Sequence, residues 1–402
     1  MEKIVIIGGG ASGLIASISA KKNGANVYLI ERNLKLGKKI LATGNGRCNF
    51  TNVDAEDMHY NHPFFVKTVF EQMTPKKTLD FFSDLGIVPK IEDEGKTYPF
   101  SEQASSIVDV LIHEINRLEI PILLEKKVVK IQKNTSFVIT FEDGQKMICD
   151  KVIIATGGMA MPKSGSDGIG YTLAQSLGHS ITPIFPALVK LELSSPYLKQ
   201  LDGVKICSTV ELIDNGVSVQ VETGDILWTK YGISGPTILQ LSRKANNLLM
   251  NNHHVDVKVI LVNGIDQRDV AKRFNLLKDK TIEMSLIGLI NKRIISPLLK
   301  EVHINPSMLV KDIPKQSIND LIQKLFDWRF NVVGSKDFDD AQVTAGGISI
   351  KEVNPQSLES KIVKGLFFCG EVLDIDGLCG GYNLQWAWSS GFIAGRHASK
   401  RD

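Results

Sequence analysis

Gly8, Gly10 and Gly13 stand in the spacing G-x-G-x-x-G directly after an apolar run, Ile4 to Ile7, and Glu31 ends a second apolar run, Val27 to Ile30. These residue types in this order can hold a dinucleotide. Gly8 allows a tight turn, Gly10 lets backbone approach a pyrophosphate, and Gly13 lets a helix pack on the strand before it. Ala11 and Ser12 lead into that helix, whose free N–H groups and dipole favour the phosphates. Glu31, about 20 residues after the first glycine, is placed to accept from a ribose hydroxyl.

A second group of residues follows closely. Gly37-Lys38-Lys39 and Thr43-Gly44-Asn45-Gly46-Arg47-Cys48-Asn49 form a basic, glycine-rich loop able to lay amides and cations along a second phosphate and a flavin ring. Asn45, Arg47 and Asn49 are its polar candidates beside the ring, with Arg47 suited to a phosphate or a substrate anion. Cys48 reads as a buried thiol more readily than a redox one. Near the C-terminus, Gly380, Gly381, Tyr382 and Asn383 precede a helix whose N-terminus would aim amides at the N1/C2=O edge of a flavin, which becomes anionic when hydride reaches N5. No confident general acid or base stands out, and the isolated histidines lack metal-ligand spacing. The flavin itself would carry the hard chemistry.

The elements that must position these groups alternate between strand and helix. A helical stretch runs from Leu14 to Asn23, and helical patterns recur over Phe64 to Leu85 and Ser105 to Leu118. Strand patterns appear at Ile122 to Leu124, Val128 to Gln132, Phe137 to Phe141 and Val152 to Ala155, with a hairpin turn at Glu142 to Gln145. Residues 191–262 are β-rich and 263–340 read as mainly helical. The strand Gly365 to Gly370 and the helix Tyr382 to Arg396, with its Trp386 and Trp388, restore the α/β character. The chain therefore reads as a discontinuous nucleotide-binding domain, 1–190 and 341–402, interrupted by an inserted domain, 191–340.

At 402 residues the chain has room for two or three domains and a substantial core. A net charge of +3 gives no electrostatic case for nucleic acid or membrane as a partner. No apolar run reaches the length of a membrane span, and the immediate start of a strand leaves no room for a signal peptide. Five scattered cysteines without C-x-x-C suggest reduced thiols, a cytoplasmic location and no metal site.

Ala155-Thr156-Gly157-Gly158 resembles the strand end shared by two-dinucleotide-type flavoproteins, and Gly370-Glu371 resembles their late strand ending in glycine and an acid. Over nearly its whole length the chain resembles the bacterial flavoprotein family that includes aminoacetone oxidase and the flavin reductase of bile-acid dehydroxylation. The matching stretches are Leu36 to Lys39, Thr43 to Asn52, Tyr98-Pro99, Ala155 to Gly158, Gly232-Ile233-Ser234-Gly235-Pro236, Thr344 to Ile348, and Gly370 through Gln385. Asp376-Gly377-Leu378-Cys379 departs from the threonine-glycine sequence of many members.

The resemblance implies FAD and an α/β, Rossmann-like FAD-binding domain interrupted by an inserted β-barrel plus helical domain. It also implies site roles. Arg32 and Lys39 would lie near the adenosine ribose, Val128 would meet adenine through its backbone, and Glu371 would approach the ribityl or phosphate region. The expected activity is an FAD-dependent oxidoreductase passing hydride between flavin N5 and a small organic substrate held between flavin and insert. One direction is a reductase fed by NAD(P)H, acting on an activated double bond. The other is an amine oxidase of the aminoacetone oxidase type. No second G-x-G-x-x-G followed by an acid marks a nicotinamide domain, which leaves only transient NAD(P)H binding over the flavin. A flavin-bound RNA-associated protein is the alternative of another class, and the lack of a basic, aromatic-interleaved patch argues against it. The substrate and oligomeric state stay open.

Overall fold

The computed structural model describes residues 2–400. The chain divides into two compact units, Met1–Phe185 with Gln342–Asp402, and Pro186–Ala341.

The first unit is built on a five-stranded parallel sheet. β1 (Lys3–Ile7) lies between β2 (Asn26–Ile30) and the strand Lys151–Ile154; Ile122–Leu123 and Leu366–Phe368 form the edges. Both faces of such a sheet are covered, so its strands need continuous apolar runs rather than alternation. Ile4, Val5 and Ile6 accordingly have no exposed surface. From β1 the chain moves outward through β2 to one edge, then crosses to the other side at Lys151–Ile154. The carboxyl ends beside this reversal form the crevice where open α/β sheets bind ligands. Gly8, Glu31, Ala155 and Cys369 each follow one of these strand ends.

Helix α1 (Ala11–Lys22) is buried from Ser12 through Ala20. It packs against the closing helix Tyr382–Ala398 so closely that methyl groups at Gly391 and Gly395 would lie 2.3 Å from the carbonyls of Ser12 and Ala16. Trp386 and Trp388 are both core residues, their indole N–H groups donating to Gly370 O and Phe50 O.

The helical pattern of Phe64 to Leu85 is two helices, Pro63–Phe70 and Pro75–Asp84. Thr74 caps the second by accepting from Lys77 N, and Pro75 fills its first turn, where no N–H is needed. An antiparallel meander, Val128–Lys133, Phe137–Phe141 and Lys146–Cys149, turns at residues 142–145.

The second unit contains a closed six-stranded barrel. Its strands in order around the wall are Leu191–Ser194, Gly232–Ser234, Val217–Thr229, Lys205–Asp214, Val255–Ile260 and Trp328–Ser335. The last strand is an exception within 263–340, which is otherwise helical over Gln267–Leu276, Ile282–Leu286, Lys292–Glu301 and Lys315–Phe326. It closes the barrel by pairing with Val255–Ile260 and Leu191–Ser194. Its signal is a period of two: Trp328, Phe330 and Val332 are buried while Arg329 is exposed. Gly232 to Pro236 is the short barrel strand followed by the entry to helix Pro236–Met250.

Candidate active site

The glycine turn separates three steric roles. A methyl group at Gly8 would lie 2.4 Å from Ala155 O, and one at Gly13 would lie 1.8 Å from Gly8 O. These two positions hold the turn against the strand Lys151–Ile154 and α1 against the turn. A methyl at Gly10 would meet nothing within 4 Å. Gly10 is also the N-cap of α1 and has no side-chain cap, so the first-turn amides are left to a ligand. Ala11 follows it at the helix start. The Ser12 hydroxyl donates to Cys369 O at 3.4 Å and abuts Gly370, so Ser12 offers this site its backbone N–H.

Glu31 is 7% exposed and held by three donors. Its Oε2 accepts from Gly9 N at 2.7 Å; its Oε1 accepts from Asn33 N at 2.7 Å and Asn33 Nδ2 at 2.8 Å. Lone pairs remain for a further donor. Gly9 and Asn33 escaped the sequence reading, although Gly9 lies inside the motif and Asn33 two residues past its acid. Arg32 pairs with Asp167, and Lys38 Nζ donates to Lys163 O at 2.6 Å. Asn33 Nδ2 also donates to Ser164 O at 2.9 Å. Together these three side chains tie the 163–167 loop to the end of β2, and the charges of Arg32 and Lys38 serve that loop.

Lys39 and Glu371 are brought together at 2.6 Å, and the second Glu371 oxygen accepts from Thr344 N at 2.8 Å. This links the loop after Gly37 to the segment following strand Leu366–Phe368. At the neighbouring strand end, Ala155 N donates to Ile7 O at 2.9 Å. The Thr156 hydroxyl lies against Gly170, Gly157 faces Ser166, and a methyl at Gly158 would lie 2.4 Å from Thr344 Oγ1. That hydroxyl accepts from Met159 N and Ala160 N.

Thr43 bonds back to Ile40 O, and Gly44, Asn45 and Gly46 then run consecutively in left-handed backbone, with φ of 55°, 54° and 85°. Glycine and asparagine adopt this region most readily. All three are exposed, so their backbone is available to a ligand. Arg47 does not extend toward that opening. Its Nη2 sits 2.5 Å from Glu92 Oε1 and 3.1 Å from Glu102 Oε1, and its guanidinium stacks 4.0 Å over the Tyr98 ring. Hydrogen bonding to Glu92 raises its pKa further. The expected anion partner is therefore a clamp between this loop and residues 92–102. Cys48 is fully buried, and burial pushes its thiol up to about 12, which removes thiolate chemistry. Asn49 is buried, and its Oδ1 accepts from Thr97 N at 3.0 Å.

At the start of the closing helix, Gly381 is left-handed at φ 96° and serves as an N-cap without a side-chain cap. A methyl there would lie 2.5 Å from Thr51 O. Gly380 precedes it, its carbonyl accepting from Asn52 Nδ2 at 2.9 Å. Tyr382 packs against His59 and Tyr60, and its carbonyl accepts from the Tyr60 hydroxyl at 2.8 Å. The Asn383 side chain turns back onto Gly377 and Leu378. The Asn383 side chain is thus a loop clamp, while the Asn383 N–H stays in the helix's first turn. Asn61 clamps the other side of the same segment: its Oδ1 accepts from Asp376 N and its Nδ2 donates to Asp374 Oδ1. Gln385 is wholly buried in a network with Thr51, Thr78 and Ser389. Val128 is a buried strand residue paired with Phe141.

FAD passes a steric and chemical test against these residues. A cradle lies open at Gly10, a buried carboxylate with spare lone pairs ends β2, an exposed left-handed loop runs over 44–46, and an uncapped helix starts at Gly381. Fold and site together define a flavin-dependent oxidoreductase with a Rossmann-like FAD-binding unit. Residues 2–397 match the family described as HI0933-like protein Rossmann domain, and the chain belongs to that family.

Among its relatives is 3-dehydro-bile acid delta(4,6)-reductase of Clostridium scindens, 38% identical over the full length of both chains. Ribosomal RNA dihydrouridine synthase of Escherichia coli is 33% identical, with 96% of this chain and 95% of that one covered. A solved structure of 3-ketosteroid delta1-dehydrogenase from Sterolibacterium denitrificans, in complex with 1,4-androstadiene-3,17-dione, shares the fold at a TM-score of 0.51 and 11% identity. The match covers 99% of this chain and 100% of that one. No helix among the described residues is long and apolar enough to cross a membrane.

Proposed function

We propose that this protein reduces a carbon–carbon double bond conjugated to a carbonyl in a small organic molecule, using FAD and taking electrons from NAD(P)H. The observation that carries the reading is full-length identity of 38% to an enzyme named for reducing the double bonds of a 3-dehydro-bile acid. The second relative is named for making dihydrouridine, whose saturated bond likewise adjoins a carbonyl. The two names share one chemistry, hydride addition to a carbon made electrophilic by conjugation.

When bound, FAD supplies the hydride at N5. The protein's residues bind and orient. Backbone amides at Gly10 to Gly13 would hold the pyrophosphate, and Glu31, fixed by Gly9 and Asn33, would accept from the ribose. The exposed backbone of residues 44–46 would border the ring, Lys39 would lie near the adenosine ribose, Glu371, to which Lys39 is bonded, would approach the ribityl or phosphate region, and first-turn amides of the closing helix would serve the pyrimidine edge. Pre-aimed amides stabilise charge there without reorganising.

The test is an absorbance spectrum of the purified protein followed by anaerobic titration with NADH and NADPH. The expected result is flavin bands that bleach and return on adding a conjugated enone. Bands that resist both nicotinamides and bleach with aminoacetone, with oxygen consumed on reoxidation, would replace this reading with the amine oxidase. A second reading, reduction of uracil within RNA, is favoured by the dihydrouridine synthase relatives. It predicts that ribosomal RNA, and no enone, reoxidises the reduced protein, with a rate that falls as salt rises.

A further inference from the structure

We propose that Lys96 is the cation of the reacting site, its ammonium stabilising the negative charge that collects at the flavin's pyrimidine edge when FAD holds a hydride. This rests on the reading above that the closing helix begins at that edge.

Lys96 opens the strand Lys96–Pro99, which runs between the two segments expected to border the ring. At one end, a methyl on Gly380 would lie 3.5 Å from Lys96 Cε and 3.4 Å from the Tyr382 ring. At the other, a methyl on Gly44 would lie 3.3 Å from the Tyr98 ring. Asn52 fixes the arrangement, its Nδ2 donating to both Gly380 O and Glu94 O at 2.9 Å. The end of the Lys96 side chain thereby lies beside Gly380, next to the uncapped helix start, with its ammonium on the Glu94 carboxylate. The ionisable groups facing it are Glu94, Tyr98, Cys379 and Tyr382, and its field acts on the last three.

The other cations near the proposed cofactor are already committed. Arg32 is paired with Asp167, Lys38 donates to Lys163 O, Lys39 is paired with the part-buried Glu371, and Arg47 with Glu92 and Glu102. Lys96 differs because its ion-pair partner, Glu94, is 77% exposed. A hydrated counter-ion is strongly screened. An ammonium has three donors, so others are left for an acceptor beside the helix. Helix-start amides with an ammonium on the neighbouring strand suit an oxygen that gains charge during the reaction.

Sulfite tests this without substrate or turnover, because its addition to oxidised flavin leaves a negative charge on the pyrimidine edge. Lys96→Met should keep one FAD per chain and weaken sulfite binding about tenfold, the equivalent of ~1.4 kcal/mol. Lys96→Arg should stay within about twofold of the parent. Glu94→Gln, at an exposed position, should tighten sulfite binding, and it serves as the test should Lys96→Met lose FAD. Unchanged sulfite binding in Lys96→Met, or in Glu94→Gln where Lys96→Met has lost FAD, would overturn the proposal. Asn383→Ala separates the two ways of failing. If it changes sulfite binding while the Lys96 and Glu94 variants do not, only the role of Lys96 is wrong. If none of them changes it, the helix-start reading is wrong and the Lys96 proposal falls with it.

Discussion

Asn383 closes a ring of hydrogen bonds with Gly377: its Nδ2 donates to Gly377 O and its Oδ1 accepts from Gly377 N, both at 2.9 Å. A third bond, from Nδ2 to Leu378 O at 3.1 Å, uses the remaining amide proton. The side chain thus replaces a backbone partner for the segment leading into Gly380 and Gly381. Removing it frees that segment while leaving the glycine turn at Gly10 untouched. Asn383→Leu should retain FAD, lose about 1–3 kcal/mol of stability through its unmade hydrogen bonds, and change the flavin's reduction potential. Unfolding curves and a redox titration on the same sample check both parts. An unchanged potential would remove the helix start from the flavin site.

Arg47 positions a loop through a planar fork that lysine cannot reproduce. It reaches Glu92 and Glu102 while stacking on Tyr98, and stacking combined with bidentate geometry belongs to guanidinium. Arg47→Lys should therefore loosen residues 43–46 and weaken FAD binding by roughly two- to fivefold, the scale of an exposed ion-pair contribution. Fluorescence titration of apoprotein with FAD measures this. A direct phosphate contact by Arg47 would instead produce a far larger loss that depends steeply on salt.

The nucleotide-binding turn was legible because its signal is local. A continuous apolar strand, glycines at fixed spacing and an acid after the next strand lie within 31 residues. The residues that hold the remaining site in place lie far apart in the chain. Asn61 bonds Asp376 across 315 positions, and Lys39 meets Glu371 across 332. Arg47 shows the same limit from the other side. A cation in a glycine-rich loop suggests a phosphate until Glu92 and Glu102 fold against it. Lys96 carried no motif, since its place beside Gly380 exists only once strand Lys96–Pro99 and the closing helix have met. The strand Trp328–Ser335 was overlooked although Trp328, Phe330 and Val332 alternate correctly, because the helical patterns before it were extended one element too far.

Two groups should make stability pH-dependent in separate windows. Burial, with Lys400 and Arg396 adding to it, lowers His397 from 6.5 to about 4. The unfolded state then binds the proton first, so stability falls as pH drops from 6.5 toward 4. His397→Gln removes that proton site and should be more stable relative to the parent at pH 5 than at pH 7. Hydrogen bonds from Arg117, joined by Lys22, bring Glu114 from 4.5 down to about 2. Its contribution, roughly 1–3 kcal/mol, is complete above pH 4.5 and is lost as pH falls toward 2. Glu114→Gln should therefore be less stable at neutral pH, with the gap closing in acid. Denaturation series from pH 7 to pH 3 separate the two, and a gap for Glu114→Gln that widens in acid would refute the ion-pair assignment.

Two glycines of one motif should fail in different ways. Gly13 lies where an added methyl would sit 1.8 Å from Gly8 O. Gly13→Ala must displace the turn or α1, and a loss of ~3 kcal/mol or more is expected. Gly10 has φ −84° and ψ −167°, extended backbone that any residue adopts, and its missing side chain faces open space. Gly10→Val should therefore fold close to normally, with an N-cap loss of about 1 kcal/mol, while its isopropyl group occupies the approach to the first-turn amides of α1. FAD affinity should drop on the order of 100-fold, the equivalent of ~2.7 kcal/mol. Circular dichroism melts of the two variants as apoproteins, set beside their flavin-to-protein absorbance ratios, distinguish the outcomes. A stably folded Gly10→Val protein that still carries one FAD per chain would place the pyrophosphate somewhere other than this turn.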